Sequence, residues 1–111
     1  MKNREDMVFK IKADFLRALS HPVRLQLIER LKSGEASVGA LVRELGVEQS
    51  SLSRHLGILR ELGVLEARQE KKNVYYALHD HDIFNVLRPI AELLRKKLKR
   101  SEKLLESLAK E

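Results

Sequence analysis

The most restrictive feature of this sequence is a pair of short apolar stripes on either side of Gly46. Val38, Leu41, Val42 and Leu45 recur at helical spacing before it, and Leu52, Leu56 and Leu59 recur after it. Between the stripes, Gly46-Val47-Glu48 leaves room only for a tight turn, and glycine takes a left-handed helix end without steric cost. Ser37 is placed to cap the first helix, and Gly63 ends the second after Leu62. Two helices this short, joined by a glycine turn, read as a helix-turn-helix over about residues 37–62. Each buries one stripe only, so the flanking chain must complete the core.

The flanks supply suitable elements. Val8, Ile11, Phe15 and Leu19 form one stripe of a helix that should stop near Ser20-His21-Pro22, because proline disfavours helix at the residue before it. Pro22 suits the first turn of a second helix carrying Val23, Leu27, Ile28 and Leu31, closed by Ser33-Gly34. After Gly63 come two extended runs, Val64–Arg68 and Asn73–Leu78, with the polar Gln69-Glu70-Lys71-Lys72 as a hairpin tip. A long helix follows over about residues 81–108, with Ile83, Leu87, Ile90, Leu94, Leu98, Leu105 and Leu108 on its apolar side and Pro89 as a source of bending. At roughly 40 Å it is longer than so small a core can cover.

The expected fold is mainly α with a small β-hairpin, in the order α-α-α-α-β-β-α. This is a winged helix-turn-helix forming one domain over residues 1–111, with the wing at about 64–78.

Charge and composition narrow the function. The chain has 111 residues and a net charge of +6, without a low-complexity basic tail, which favours a polyanionic partner such as nucleic acid. It has no cysteine, so disulfides, thiolate metal sites and thiol redox switches are excluded together. No apolar run approaches the ~20 residues of a membrane span. The opening Met1-Lys2-Asn3-Arg4-Glu5-Asp6 lacks the apolar core of a signal peptide, and a cytoplasmic location is expected. Ser53 and His55, two apart on a helix, point in different directions. Neither a phosphate loop, a nucleophile elbow nor a His-Glu-x-x-His pair is present, so an enzyme is not expected.

The polar N-terminal face of the second short helix carries the functional reading. Gln49, Ser50, Ser51, Ser53 and Arg54 are expected to face the bases and phosphates of a DNA major groove, with His55 near phosphate. Gln pairs bidentately with adenine and Arg with guanine, while Ser serves either base edges or phosphate. Arg68, Lys71 and Lys72 on the hairpin would act as a wing against the backbone or minor groove. A merely solvated face is the bland alternative for that helix alone. The preceding helix, turn and wing, in order, favour double-stranded DNA as the partner.

Four runs then resemble the ArsR/SmtB-type winged-helix repressors in order and spacing. They are Leu19-Ser20-His21-Pro22-Val23-Arg24-Leu25, Leu45-Gly46-Val47-Glu48-Gln49-Ser50-Ser51-Leu52-Ser53-Arg54-His55-Leu56, Leu59-Arg60-Glu61-Leu62-Gly63-Val64-Leu65 and Val74-Tyr75-Tyr76-Ala77-Leu78. The resemblance covers nearly the whole chain. It implies a homodimer built from the first and last helices that blocks transcription from an inverted repeat in promoter DNA. Two positions depart from the family pattern. Glu48 stands where the family usually has a capping Ser or Thr, and Glu70-Lys71-Lys72 replaces the common Asp-Gly-Arg of the wing.

The resemblance also locates the family's effector sites. The cysteines of its third-helix metal site fall on Ser37 and Gly39, and the ligands of its last-helix zinc site fall on Asp80, Asp82, Leu93 and Lys96. Neither set can hold zinc as a tetrahedral site, and no cofactor is expected. The run His79-Asp80-His81-Asp82 has two readings. Asp80 or His79 caps the last helix while Asp82 complements its dipole, which is the favoured one, or the four form the metal site of a responsive repressor. The basic run from Arg95 to Lys103 reads as a solvated face, with flanking-DNA contact and, less favoured, an anionic membrane surface as its alternatives. A winged helix serving protein contact remains the rival from another class, and an unidentified small-molecule inducer stays open.

Overall fold

The computed structural model describes residues 3–110, so Met1 and Lys2 of the charged N-terminal stretch and Glu111 at the other end lie outside the described residues. Two compact units divide between Asp80 and His81.

In the first unit, helix α1 spans Arg4–Leu19. The side chain of Asn3 accepts from the backbone N–H of Asp6 at 3.0 Å, and Glu5 and Asp6 in the first turn suit the positive end of the helix dipole. Of its expected stripe, Leu19 is buried and Phe15 half-buried, while Val8 and Ile11 are exposed in the isolated chain. Helix α2 spans Pro22–Leu31 and is capped by His21, whose Nδ1 accepts from the Val23 N–H at 3.1 Å.

A two-residue strand that sequence periodicity does not reveal, β1 (Ala36–Ser37), precedes helix α3 (Val38–Leu45) and helix α4 (Gln49–Glu61). Strands β2 (Leu65–Glu70) and β3 (Asn73–Leu78) form the hairpin. The sheet is therefore three-stranded and antiparallel, in the order β1-β3-β2, rather than a bare hairpin. Ala36 lies opposite Tyr76 and Ser37 opposite Tyr75. On the other edge the register runs from Leu65 opposite Leu78 to Glu70 opposite Asn73. Pairing through Gln69 and Glu70 shortens the expected four-residue tip to Lys71-Lys72.

The core of this unit is aliphatic. Leu27, Ile28 and Leu31 of α2, Leu41 of α3, and Leu52, Leu56 and Leu59 of α4 are fully buried. Truncating any of these leucines to alanine should cost ~2–5 kcal/mol, through lost transfer energy and the cavity left behind.

The second unit begins with a 3₁₀ turn over His81–Ile83 and continues as helix α5, Phe84–Ala109. The α-helix thus starts three residues later than its pattern suggests. Its first position follows Ile83, which is already helical, and no side chain caps it. Asp80, the expected cap, immediately precedes the 3₁₀ turn. Asp82 accepts from Asn85 Nδ2 at 3.4 Å. Ile90, Leu94, Leu98, Leu105 and Leu108 are exposed along it. No helix among the described residues is long and apolar enough to cross a membrane.

Candidate nucleic-acid interface

The turn between α3 and α4 follows from its residues. Ser37 Oγ accepts from the Ala40 N–H at 3.1 Å and fixes the start of α3. Gly46 ends it at φ +65°, with its N–H bonded to Val42 O at 3.0 Å. A side chain at this φ would be strained, which is why glycine occupies the turn. At the start of α4, Glu48 makes no side-chain cap. Its Oε1 accepts from Ser50 Oγ at 2.7 Å, so the carboxylate stays beside the positive helix end.

With Leu52, Leu56 and Leu59 turned inward, Gln49, Ser50, Ser53 and Arg54 are exposed on α4 and Ser51 is half-buried. His55 is a correction to the expected DNA face. It is 2% exposed and lies on the buried side of the helix. Its Nδ1 accepts from Arg24 Nε at 3.1 Å, and its ring centroid is 4.3 Å from that of His21. Arg24 also donates to the carbonyl of Ala18 at 2.6 Å, so the ring is tied to the junction of α1 and α2. Burial, followed by the charges of His21, Arg24 and Arg54, holds the imidazole below its ordinary pKa. A neutral ring inside the fold is no phosphate ligand.

The wing separates its cations. Arg68, on β2, is ion-paired with both Glu35 and Glu70, and its guanidinium lies 4.6 Å from the centre of the Tyr75 ring. Those two carboxylates raise its pKa, and Arg68 in turn lowers that of Glu35. Its charge is paired within the protein, although the side chain stays exposed. Lys71 and Lys72, at the two-residue turn, are both exposed. Lys71 adopts φ +56°, in the left-handed region that favours glycine.

His79 Nδ1 lies 3.2 Å from Glu66 Oε2, and the His81 ring lies against Phe84 with centroids 6.4 Å apart. Among the described residues no group of three or more His, Asp or Glu side chains is placed to hold a metal ion.

Between α4 and the wing lies a cleft of about 350 Å³. Gln49 and Ser53 line its helix side, and Lys72, Asn73, Val74 and Tyr76 line its wing side. Asn73 and Tyr76 were absent from the expected interface. Strand alternation carries the signal for Tyr76, because Val74 and Tyr76 share one face of β3 and Tyr75 takes the other.

Residues 19–68 match a family model described as a helix-turn-helix domain. The biofilm growth-associated repressor of Xylella fastidiosa is 47% identical over 77 residues, covering 68% of each chain. An uncharacterized HTH-type transcriptional regulator of Mycobacterium tuberculosis is 35% identical over 102 residues, covering 91% of this chain and 90% of its own. Its crystal structure superimposes with a TM-score of 0.76 over 84% of this chain and 94% of that one. A homodimeric winged helix-turn-helix DNA-binding domain from Mycobacterium bovis, from a protein described as a possible ArsR-family transcriptional regulator, is 25% identical. It has a TM-score of 0.75 and covers 90% of this chain and 93% of its own.

Proposed function

Since the chain belongs to the ArsR/SmtB-type winged helix-turn-helix transcriptional regulators, which are DNA-binding proteins rather than enzymes, we propose that it represses transcription as a cytoplasmic homodimer on an inverted repeat. Residues 1–111 act as one functional domain in this reading. The N-terminal half of α4 enters the major groove, where Gln49, Ser50, Ser51, Ser53 and Arg54 meet bases and phosphates. Lys71 and Lys72 reach the flanking backbone or minor groove.

One observation carries the reading: an exposed row of hydrogen-bonding side chains on α4 stands beside two exposed lysines at the hairpin turn. The second copy would cover the apolar residues exposed on α1 (Met7, Val8, Phe9, Ile11 and Leu16) and those exposed on α5. Any inducer acts without cysteine ligands, because the chain has none.

Binding measured across base-substituted duplexes tests the docking. Arg54→Ala should change which bases are preferred, whereas Lys72→Ala should weaken all duplexes alike and lower the salt slope by ~1 per half-site. Identical behaviour of the two variants would contradict this placement.

A further inference from the structure

Resting on that DNA-binding reading, we infer that the cleft between α4 and the wing is the seat of one backbone phosphodiester, held by Ser53, Lys72, Asn73 and Tyr76.

The first argument is topological. A helix in the major groove and a hairpin reaching the adjacent minor groove must straddle the sugar–phosphate strand that separates the two grooves. That strand has to cross the protein between α4 and the wing, where the cleft lies.

The second argument is chemical. The cleft's polar lining consists of Gln49, Ser53, Lys72, Asn73 and Tyr76, which supply two amide groups, two hydroxyls and one ammonium. No carboxylate lines it. Among the described residues, none of these five side chains makes a hydrogen bond or ion pair within the protein. The contrast with Arg68 is direct, since its charge is already taken by Glu35 and Glu70. Converging donors with one cation and no acid suit an anionic oxygen ligand.

The third argument is the division of α4. Gln49 and Ser53 are four residues apart and share the cleft wall, while Ser50 and Arg54 form the neighbouring row. The Ser50/Arg54 row is left to read bases, and the cleft row fixes the register of the protein on the duplex. Tyr76 and Asn73 are thereby assigned as DNA contacts.

The test replaces single phosphates of a bound operator duplex with neutral methylphosphonates, for the wild-type chain and for Tyr76→Phe and Ser53→Ala. The wild type should lose about tenfold in affinity at one phosphate in each half-site. Tyr76→Phe should bind the unmodified duplex about tenfold more weakly, keep the operator-to-scrambled ratio, and lose most of its sensitivity at that same phosphate. Circular dichroism confirms that each variant is folded. If both variants retain full sensitivity at every phosphate, the cleft assignment fails while the DNA-binding reading stands. Failure of the wild type to prefer the operator removes the DNA-binding reading itself. Inorganic phosphate, titrated alone, covers the free-anion alternative: phosphate binding lost in Tyr76→Phe, with operator affinity intact, would overturn the assignment to DNA.

Discussion

Arg24 Nε donates to His55 Nδ1 at 3.1 Å, which fixes the buried imidazole as an acceptor and therefore as a neutral ring. A protonated His55 would turn an N–H towards the Arg24 guanidinium and lose this bond. The contact joins α2 to the inward face of α4, and Arg24 extends it to Ala18. The helix proposed to read DNA is held from behind by a group whose charge state matters.

Stability should therefore depend on pH in a definite direction. Burial lowers the His55 pKa, so on acidification the unfolded chain takes up a proton before the folded chain does. The stabilising contribution is complete above the ordinary imidazole pKa of about 6.5 and is lost as pH falls from there towards the depressed folded value, at up to ~1.4 kcal/mol per pH unit. Urea unfolding at a series of pH values should show this slope in the wild type. In His55→Gln the slope should be smaller, on a lower overall stability.

Lys71 separates folding from binding. Its φ of +56° costs a residue with a side chain ~1–2 kcal/mol relative to glycine, partly offset by the entropy glycine loses on folding. Lys71→Gly should raise stability by about 0.5–1 kcal/mol in thermal unfolding and reduce the salt slope of DNA binding by ~1.8 for the dimer. A drop in stability would show that the turn does not hold this conformation.

The two kinds of wing cation should behave differently. Arg68→Gln should leave the salt dependence of DNA binding nearly unchanged, because Glu35 and Glu70 already compensate its charge. Lys72→Gln, present twice in the bound dimer, should lower the slope by ~1.8. Equal slopes for the two variants would place Arg68 on the DNA.

Dimerisation is checked by sedimentation equilibrium. Leu94→Glu or Leu98→Glu, on the exposed apolar side of α5, should weaken self-association by about a hundredfold or more, since twofold symmetry doubles a loss of ~1.5–3 kcal/mol. An unchanged association constant for both would move the interface elsewhere.

Much of this is legible in the sequence because Leu52, Leu56 and Leu59, Gly46 and Ser37 act through local rules of periodicity and capping. The same stripe contained the warning about His55, which sits between Leu52 and Leu59 at spacings of three and four. Its polarity suggested a surface group, but the Arg24 partner lies 31 residues away and supplies the hydrogen bond that permits burial. The pairing of Arg68 with Glu35 is hidden from the sequence for a similar reason, as the two are 33 residues apart. Strand β1 has only two residues and no pattern of its own. Pairing with Tyr75 and Tyr76 creates it. Long-range partners decided each of these cases.

The most direct test is fluorescence anisotropy of a labelled duplex from upstream of the protein's own gene, challenged with scrambled competitor at physiological salt. The account predicts binding to the promoter duplex that is tighter by ~10³ or more than to the scrambled one. Equal affinity for the two would contradict sequence-specific repression and turn the same surface into a candidate for protein contact.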